Sequence, residues 1–130
     1  MAGATHVDEY DIYSQIGEEG FARLVGAFYK QIPGDSVLGP MYAGRDMGEA
    51  EQRLRDFLIF RFGGPSRYLD QRGHPRLRMR HAPFSIDQKG RDRWIELMDA
   101  AFREAALPAD AERVLRTFFE STATFMINRA

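Results

Sequence analysis

The sequence contains no cysteine among its 130 residues. Disulfides, iron–sulfur clusters, thiolate zinc sites and a cysteine nucleophile are therefore excluded, so any bound metal needs histidine or oxygen ligands. The chain also lacks an apolar run of the roughly 18 residues that a membrane span requires, and its acidic start does not resemble a basic signal peptide. We expect a cytoplasmic protein without a membrane span or a secretion signal.

The chain has little net charge. Eighteen Lys and Arg residues are set against nineteen Asp and Glu residues, which gives a formal charge of -1. The strong positive field of non-specific nucleic-acid binders is missing, so we expect no nucleic-acid partner. The length suits one hydrophobic core. We expect a single domain over residues 1–130 with a flexible start at residues 1–8.

Apolar residues recur at helical spacing in five stretches, and no stretch alternates with the period of two that is typical of strands. The pattern predicts an all-α fold with helices over about 9–16, 18–32, 49–62, 87–106 and 108–127. A loop is predicted over 33–48, where two prolines and four glycines occur. The ten Phe, five Tyr and one Trp indicate either an aromatic helical core or a core around a large flat partner.

Short motifs mark the predicted helix ends. Gly17 ends the first helix, and Gly63-Gly64-Pro65 ends the third, because proline cannot continue a helix. Ser85 with Gln88 three residues later has the pattern of a capping box. Residues 68–79 show no clean period, which predicts a long connection with a short helix only after Pro75.

The three histidines are the candidate nitrogen ligands for a metal. His6 lies near the chain start and His74 in a glycine–proline turn, so solvent exposure is the ordinary interpretation of both. His81 follows Leu77 by four residues and therefore lies on the apolar face of a short helical run. Its spacing leaves two roles open, a core histidine with satisfied hydrogen bonds and a metal ligand.

Residues 63–84 carry the most specific pattern of the chain. Gly63-Gly64-Pro65 is followed by Tyr68 and then by the stretch QRGHPRLRMRHAPF at 71–84. This pattern resembles the signature of group II truncated haemoglobins, and the similarity extends from about Tyr10 to Ile127. The resemblance implies a truncated globin, a two-over-two helical sandwich around haem b, which composition and periodicity do not show by themselves.

The resemblance also implies roles for individual residues. His81 would be the proximal iron ligand, and the distal hydrogen-bonding set would be Tyr29, Tyr42 and Trp94. The propionate partners would be Arg53, Tyr68 and Arg80, and Ala50 would occupy the gate position. The apolar lining of the macrocycle would consist of Leu54, Phe57, Leu77, Phe84 and Met98.

Two features of the sequence fall outside this assignment. The chain reads Gly17-Glu18-Glu19-Gly20 at the corner between the first two helices, where the family usually has adjacent glycines. Four arginines also lie within nine residues, at positions 72, 76, 78 and 80. We expect one or two of them to contact the propionates and the others to face solvent.

The function that the resemblance implies is binding of oxygen and other diatomic ligands by haem. Two effective hydrogen-bond donors would slow oxygen release by about two to four orders of magnitude. Such slow release favours a redox or detoxification role over simple transport. A peroxidase-like or nitric-oxide dioxygenase activity and an unidentified reductase partner are further expectations.

Two functions of other classes are compatible with the residues. A haem-free helical interaction module would use the Arg72–Arg80 cluster to bind an acidic partner. A hydrolase would pair His81 with Asp70 or Asp87, although the sequence has no nucleophile motif to complete such a site.

Overall fold

The computed structural model describes residues 11–73, 75–76, 81 and 85–129, and the regular structure within these ranges is entirely helical. The all-α prediction is therefore confirmed. The α-helices in the described ranges are α1 (Ile12–Tyr29), α2 (Gly39–Tyr42), α3 (Met47–Arg61), α4 (Arg67–Arg72), α5 (Gln88–Ala105) and α6 (Ala109–Phe125). A short 3₁₀ helix, Ile32–Gly34, lies in the predicted loop between α1 and α2.

Helix α1 lies at the centre of the packing. It contacts both α3 and α5, while α6 packs on α5 and α4 packs on α3. The predicted apolar stripe of α1 is fully buried, with Phe21, Leu24, Val25 and Phe28 all 0% exposed. Burial of a complete helix face on two neighbours is the main source of stability for a helix of this length. None of the helices described is long and apolar enough to cross a membrane.

Gly17 divides α1 into two helical segments, as the predicted helix end at this residue requires. Its φ of 66° and ψ of -179° are not helical, and glycine reaches a positive φ without the steric cost that other residues have. The kink turns the first segment towards the end of α3, where the Tyr13 N–H donates to the Phe62 carbonyl oxygen at 3.0 Å.

Two local predictions are wrong. The N-cap of α5 is Asp87 rather than the Ser85–Gln88 box, because the Asp87 carboxylate directly precedes the helix and accepts from the Gly90 N–H at 2.8 Å. The connection predicted from residue 68 begins with helix α4, which is held by packing of the buried Tyr68 ring against Phe57. The short helix predicted after Pro75 and the chain start at 1–8 lie outside the described residues.

Gly64 lies where three parts of the chain meet. A Cβ atom at this position would lie 2.5 Å from Ile59 Cγ2 and 2.7 Å from Tyr13 Cδ1. It would also lie 2.9 Å from the Ile59 carbonyl oxygen, which cannot move without disturbing the end of α3. The glycine pair at 63 and 64 therefore does more than end a helix, because it allows close contact between α1 and α3.

We predict that Gly64→Ala lowers the free energy of unfolding by about 1–3 kcal/mol, the usual cost of an overpacked position. Gly34→Ala is the matched control, since a Cβ atom there meets nothing within 4 Å. It should change stability by no more than about 0.5 kcal/mol. Equilibrium urea unfolding measures both variants. Equal stability of the two variants would contradict the close contact at Gly64.

Candidate functional site

Three aromatic side chains with polar ends meet where α1, α2 and α5 approach each other. Tyr29 is the last residue of α1, Tyr42 is the last residue of α2, and Trp94 lies in the second turn of α5. The rings of Tyr29 and Tyr42 are edge to face, with centroids 6.0 Å apart. The Trp94 ring packs on Phe28 at 4.8 Å. The structure thus brings together the three residues of the expected distal set.

The pKa values indicate how the polar groups of these residues interact. Burial raises the pKa of Tyr29 well above its usual range, and the neighbouring Tyr42 raises it further. Burial also raises the pKa of Tyr42, while hydrogen bonding with Tyr29 and with Trp94 lowers it. A hydrogen bond lowers the pKa of a phenol when it stabilises the charged oxygen. The Tyr42 hydroxyl therefore interacts with both the Tyr29 hydroxyl and the Trp94 indole, whose N–H can only donate.

A positive charge lies close to this cluster. The side chain of Arg53 in α3 is 45% exposed, and its Nη1 is 3.9 Å from Glu49 Oε1. The charge of Arg53 lowers the pKa of both Tyr29 and Tyr42, although burial has the larger effect on each. Arg53 thus lies where its charged end is accessible to water and still acts on the two phenols.

One face of α3 forms an apolar wall. Ala50, Arg53, Leu54 and Phe57 follow the helical spacing of three, four and seven residues, which aligns them on one side. Ala50 and Phe57 are each 7% exposed, and Leu54 is half-buried. Tyr68 of α4 contacts Phe57 edge to face, with centroids 5.5 Å apart.

Met98, the remaining described member of the expected lining, comes from α5 rather than from α3. It lies one helical turn beyond Trp94, on the face of α5 that enters the core, and is 1% exposed. The other expected residues, Leu77, Arg80 and Phe84, lie outside the described residues, as do His6 and His74.

His81 is half-buried and is tied to the end of the chain through its backbone. Asn128 Nδ2 donates to the His81 carbonyl oxygen at 3.5 Å, and Asn128 Oδ1 accepts from the Ile86 N–H at 2.9 Å. The Ile86 carbonyl oxygen in turn accepts from the Asn128 and Arg129 N–H groups at 2.9 and 3.0 Å. The segment that follows α6 therefore holds the chain on both sides of the residues between His81 and Ile86.

The sequence did not point to three residues that the structure places around this region: Asp35, Arg93 and Asn128. Arg93 Nε donates to Asp35 Oδ1 at 2.6 Å across 58 residues of sequence. Asn128 contacts His81 across 47 residues. No local spacing connects partners so far apart, and only the turn-forming character of Asp35 before Ser36 gave any signal.

Comparison with known proteins places this arrangement among haemoglobins. A family model described as bacterial-like globin matches residues 11–128. The group 2 truncated hemoglobin YjbI of Bacillus subtilis is 34% identical over 117 residues, which are 90% of this chain and 88% of that protein.

Solved structures give the same result. The thermostable hemoglobin of Thermobifida fusca is 47% identical, with a TM-score of 0.86 over 90% of this chain and 96% of that one. The truncated oxygen-avid haemoglobin of Bacillus subtilis is 34% identical, with a TM-score of 0.85 over 90% of this chain and 98% of that one.

We predict that Asn128→Ala lowers the free energy of unfolding by about 1–2 kcal/mol, because it removes the 2.9 Å hydrogen bond to the Ile86 N–H and a weaker one of 3.5 Å to His81. Asn128→Asp keeps the acceptor for the Ile86 N–H and loses only the donor to His81. Its free energy of unfolding should therefore fall by less than half as much as that of the alanine variant. Urea unfolding gives the energies, and amide hydrogen exchange at Ile86 locates the effect. If the Ile86 amide of Asn128→Ala exchanged its hydrogen as slowly as in the wild type, this role of Asn128 would be contradicted.

Proposed function

This chain belongs to the bacterial-like globins, as a group 2 truncated haemoglobin, and we propose on that basis that it binds haem b and with it oxygen and other diatomic ligands. Its fold is the all-α, two-over-two helical sandwich of the truncated globins. The observation that carries the proposal is the cluster of Tyr29, Tyr42 and Trp94, which packs against the apolar core. The similar haemoglobin of Bacillus subtilis is described as oxygen-avid, which supports oxygen as the ligand of this chain.

The chemistry of the described side chains fits a haem group. Apolar groups from two helices, Phe57 of α3 and Met98 of α5, would supply walls for a flat macrocycle. We assign the propionates to the half-exposed Arg53, which supplies a cation near water, and to the hydroxyl of Tyr68, whose ring packs on Phe57. His81 would supply the imidazole nitrogen that binds the iron. When bound, haem supplies an iron with one position for that nitrogen and one for a diatomic ligand.

The remaining members of the haem site follow from the family resemblance. Ala50 would leave the gate position open, because its methyl group is small and has no donor. Leu54 would extend the apolar wall of α3, while Leu77 and Phe84 would add to the lining and Arg80 to the propionate contacts. These last three assignments concern residues outside the described ranges.

The tyrosine and tryptophan residues would act as hydrogen-bond donors to the ligand. Their raised pKa values keep both phenols neutral at physiological pH, so each retains its O–H. The indole N–H of Trp94 would donate to the Tyr42 oxygen or directly to the ligand, and the two phenols would supply the other donors. Each donor to a partly charged acceptor contributes about 1.5–3 kcal/mol, and two donors would slow release by about two to four orders of magnitude.

Slow release suits redox chemistry better than transport. We propose a role in oxygen-dependent redox chemistry or in detoxification of reactive species, with a peroxidase-like or nitric-oxide dioxygenase activity and a reductase as electron donor. The haem-free interaction module is the less favoured function, because the matched relatives are haemoglobins. The hydrolase that pairs His81 with Asp70 or Asp87 has no support from these relatives either.

We predict that His81→Gly abolishes tight hemin binding or makes it dependent on added imidazole, because the variant lacks the axial nitrogen. Titration of the apoprotein with hemin, followed by the intense Soret band, measures this effect. His74→Ala is the matched control and should titrate like the wild type. An unchanged proximal spectrum in His81→Gly would overturn the ligand assignment while leaving haem binding itself intact.

We predict that Trp94→Phe accelerates oxygen dissociation by roughly ten- to a hundredfold, because it removes one indole N–H worth about 1.4–2.8 kcal/mol and keeps an aromatic ring. Carbon monoxide accepts hydrogen bonds weakly, so its dissociation should change much less. Stopped-flow measurement of both ligands on one variant separates the causes. Equal acceleration of the two ligands would indicate altered packing and would count against a donor role for Trp94.

A further inference from the structure

The side chain of Asp35 is 2% exposed and has partners for both of its oxygens. Oδ2 accepts from the Val37 and Leu38 N–H groups at 3.1 and 2.8 Å. Oδ1 accepts from Arg93 Nε at 2.6 Å and lies 2.6 Å from Arg93 Nη2. A buried carboxylate is tolerated only with such complete pairing. We call this pair of residues the Asp35–Arg93 latch.

The latch joins the two parts of the chain that carry the pocket aromatics. Asp35 lies at the start of the segment that leads through Leu38 into α2, which ends at Tyr42. Arg93 directly precedes Trp94 on α5. The loop that leads to Tyr42 is therefore fixed to α5, the helix that carries Trp94.

Helix α2 depends on contacts outside itself for its position. It has four residues and none of them is buried, so it has no apolar face of its own to anchor it. Leu38, which is 2% exposed, anchors the residue just before α2 in the core, and the Leu38 N–H is one of the groups bound by Asp35. The latch thus acts at the point where the loop enters the core.

A second tether fixes the preceding segment to the same helix. Gln31 Nε2 donates to the carbonyl oxygens of Ala27 and Leu97 at 3.0 and 2.9 Å. Lys30 Nζ pairs with Glu104 Oε2, but both of these side chains are more than half exposed. Among these contacts, only the Asp35–Arg93 pair combines charge with burial of one partner and lies next to Trp94.

We propose that Asp35 and Arg93 are positioning residues that hold the Tyr42 hydroxyl against the Trp94 indole, and so set how strongly the pocket holds a diatomic ligand. The inference rests on the proposed function and extends it, because neither residue belongs to the expected pocket. Without the latch, the loop from Ser36 to Tyr42 would keep its apolar anchor and lose its charged one. Tyr42 would then occupy several positions relative to Trp94.

The pKa of Asp35 is consistent with this pairing. Hydrogen bonding to Arg93 is the main reason that the pKa of Asp35 lies below its usual range, and the Leu38 N–H lowers it further. The carboxylate is therefore charged at neutral pH and can hold the guanidinium. Arg93 Nη1 also lies 3.4 Å from Glu96 Oε1 on the exposed side of α5.

The test uses the haem-loaded protein and the variants Asp35→Asn and Arg93→Gln. Asp35→Asn keeps an oxygen for the loop N–H groups and loses the charge that holds Arg93. Each variant should accelerate oxygen dissociation by about three- to tenfold and carbon monoxide dissociation by less than twofold, because a displaced donor weakens one hydrogen bond without opening the pocket. The double variant should equal the single variants, since both remove one interaction.

Infrared spectra of the carbon monoxide complex give a second readout. The C–O stretch senses donors close to the ligand, so both variants should show a broadened or split band, while the iron–histidine Raman band keeps its wild-type position. Lys30→Gln is the matched control, because it removes an exposed ion pair to the same helix. It should leave both ligand rates and the C–O band unchanged.

The outcomes distinguish the latch from the proposed function. If the wild-type chain takes up no haem, the proposed function fails and the latch with it. If the wild type holds oxygen through Trp94 while both latch variants keep wild-type rates and C–O bands, only the latch is overturned. Equal acceleration of oxygen and carbon monoxide in both variants would also overturn it, because that result reports general loosening. Should Asp35→Asn fold poorly, Arg93→Gln decides alone, since the Arg93 side chain is 39% exposed.

Discussion

The rest of this structure depends on the contact of two phenols and one indole that pack against the apolar core. A polar group that is buried without a partner costs several kcal/mol, so each of these groups must either bind another or bind a ligand. Tyr42 connects the other two, because its hydroxyl interacts with both the Tyr29 hydroxyl and the Trp94 indole. A site in which side chains from three helices interact requires accurate placement of all three helices.

The rest of the fold supplies that placement by a few specific contacts. The positive φ of Gly17 turns the start of α1 towards α3, and Gly64 allows the two helices to approach closely. The second segment of α1 then lies between α3 and α5 and ends at Tyr29. Asp35 and Arg93 bring the loop before α2 onto α5. Each contact is small, and together they fix where the three polar ends meet.

Much of the fold could be predicted from the sequence because helix formation leaves a local signal. The apolar spacing of α1, α3, α5 and α6 indicated each helix, with ends that differ from the structure by a few residues. Helix α4 was missed because its stability comes from the contact between Tyr68 and Phe57, which no local period records. The cap of α5 was misplaced because Ser85 and Asp87 are both good capping residues, and only the backbone geometry selects Asp87.

The candidate site was less accessible to local reasoning. The spacing of His81 was compatible with either a core residue or a metal ligand. The spacing of Trp94 by itself indicated a core residue of α5. Resemblance to a family supplied the set of Tyr29, Tyr42 and Trp94, and the structure adds that these residues meet. The latch was not predictable, because Asp35 and Arg93 are 58 residues apart and each is an ordinary loop or helix-surface residue in sequence.

The central claim is that this pocket holds oxygen on a haem ligated by a single imidazole. The most direct measurement is the absorption spectrum of the purified ferrous protein, recorded first without oxygen and then with it. We expect an intense Soret band with the broad visible band of a five-coordinate haem, which oxygen converts to two sharp visible bands that persist while free oxygen is removed. A chain that shows no Soret band after incubation with hemin, or a ferrous spectrum that oxygen leaves unchanged, would contradict the claim.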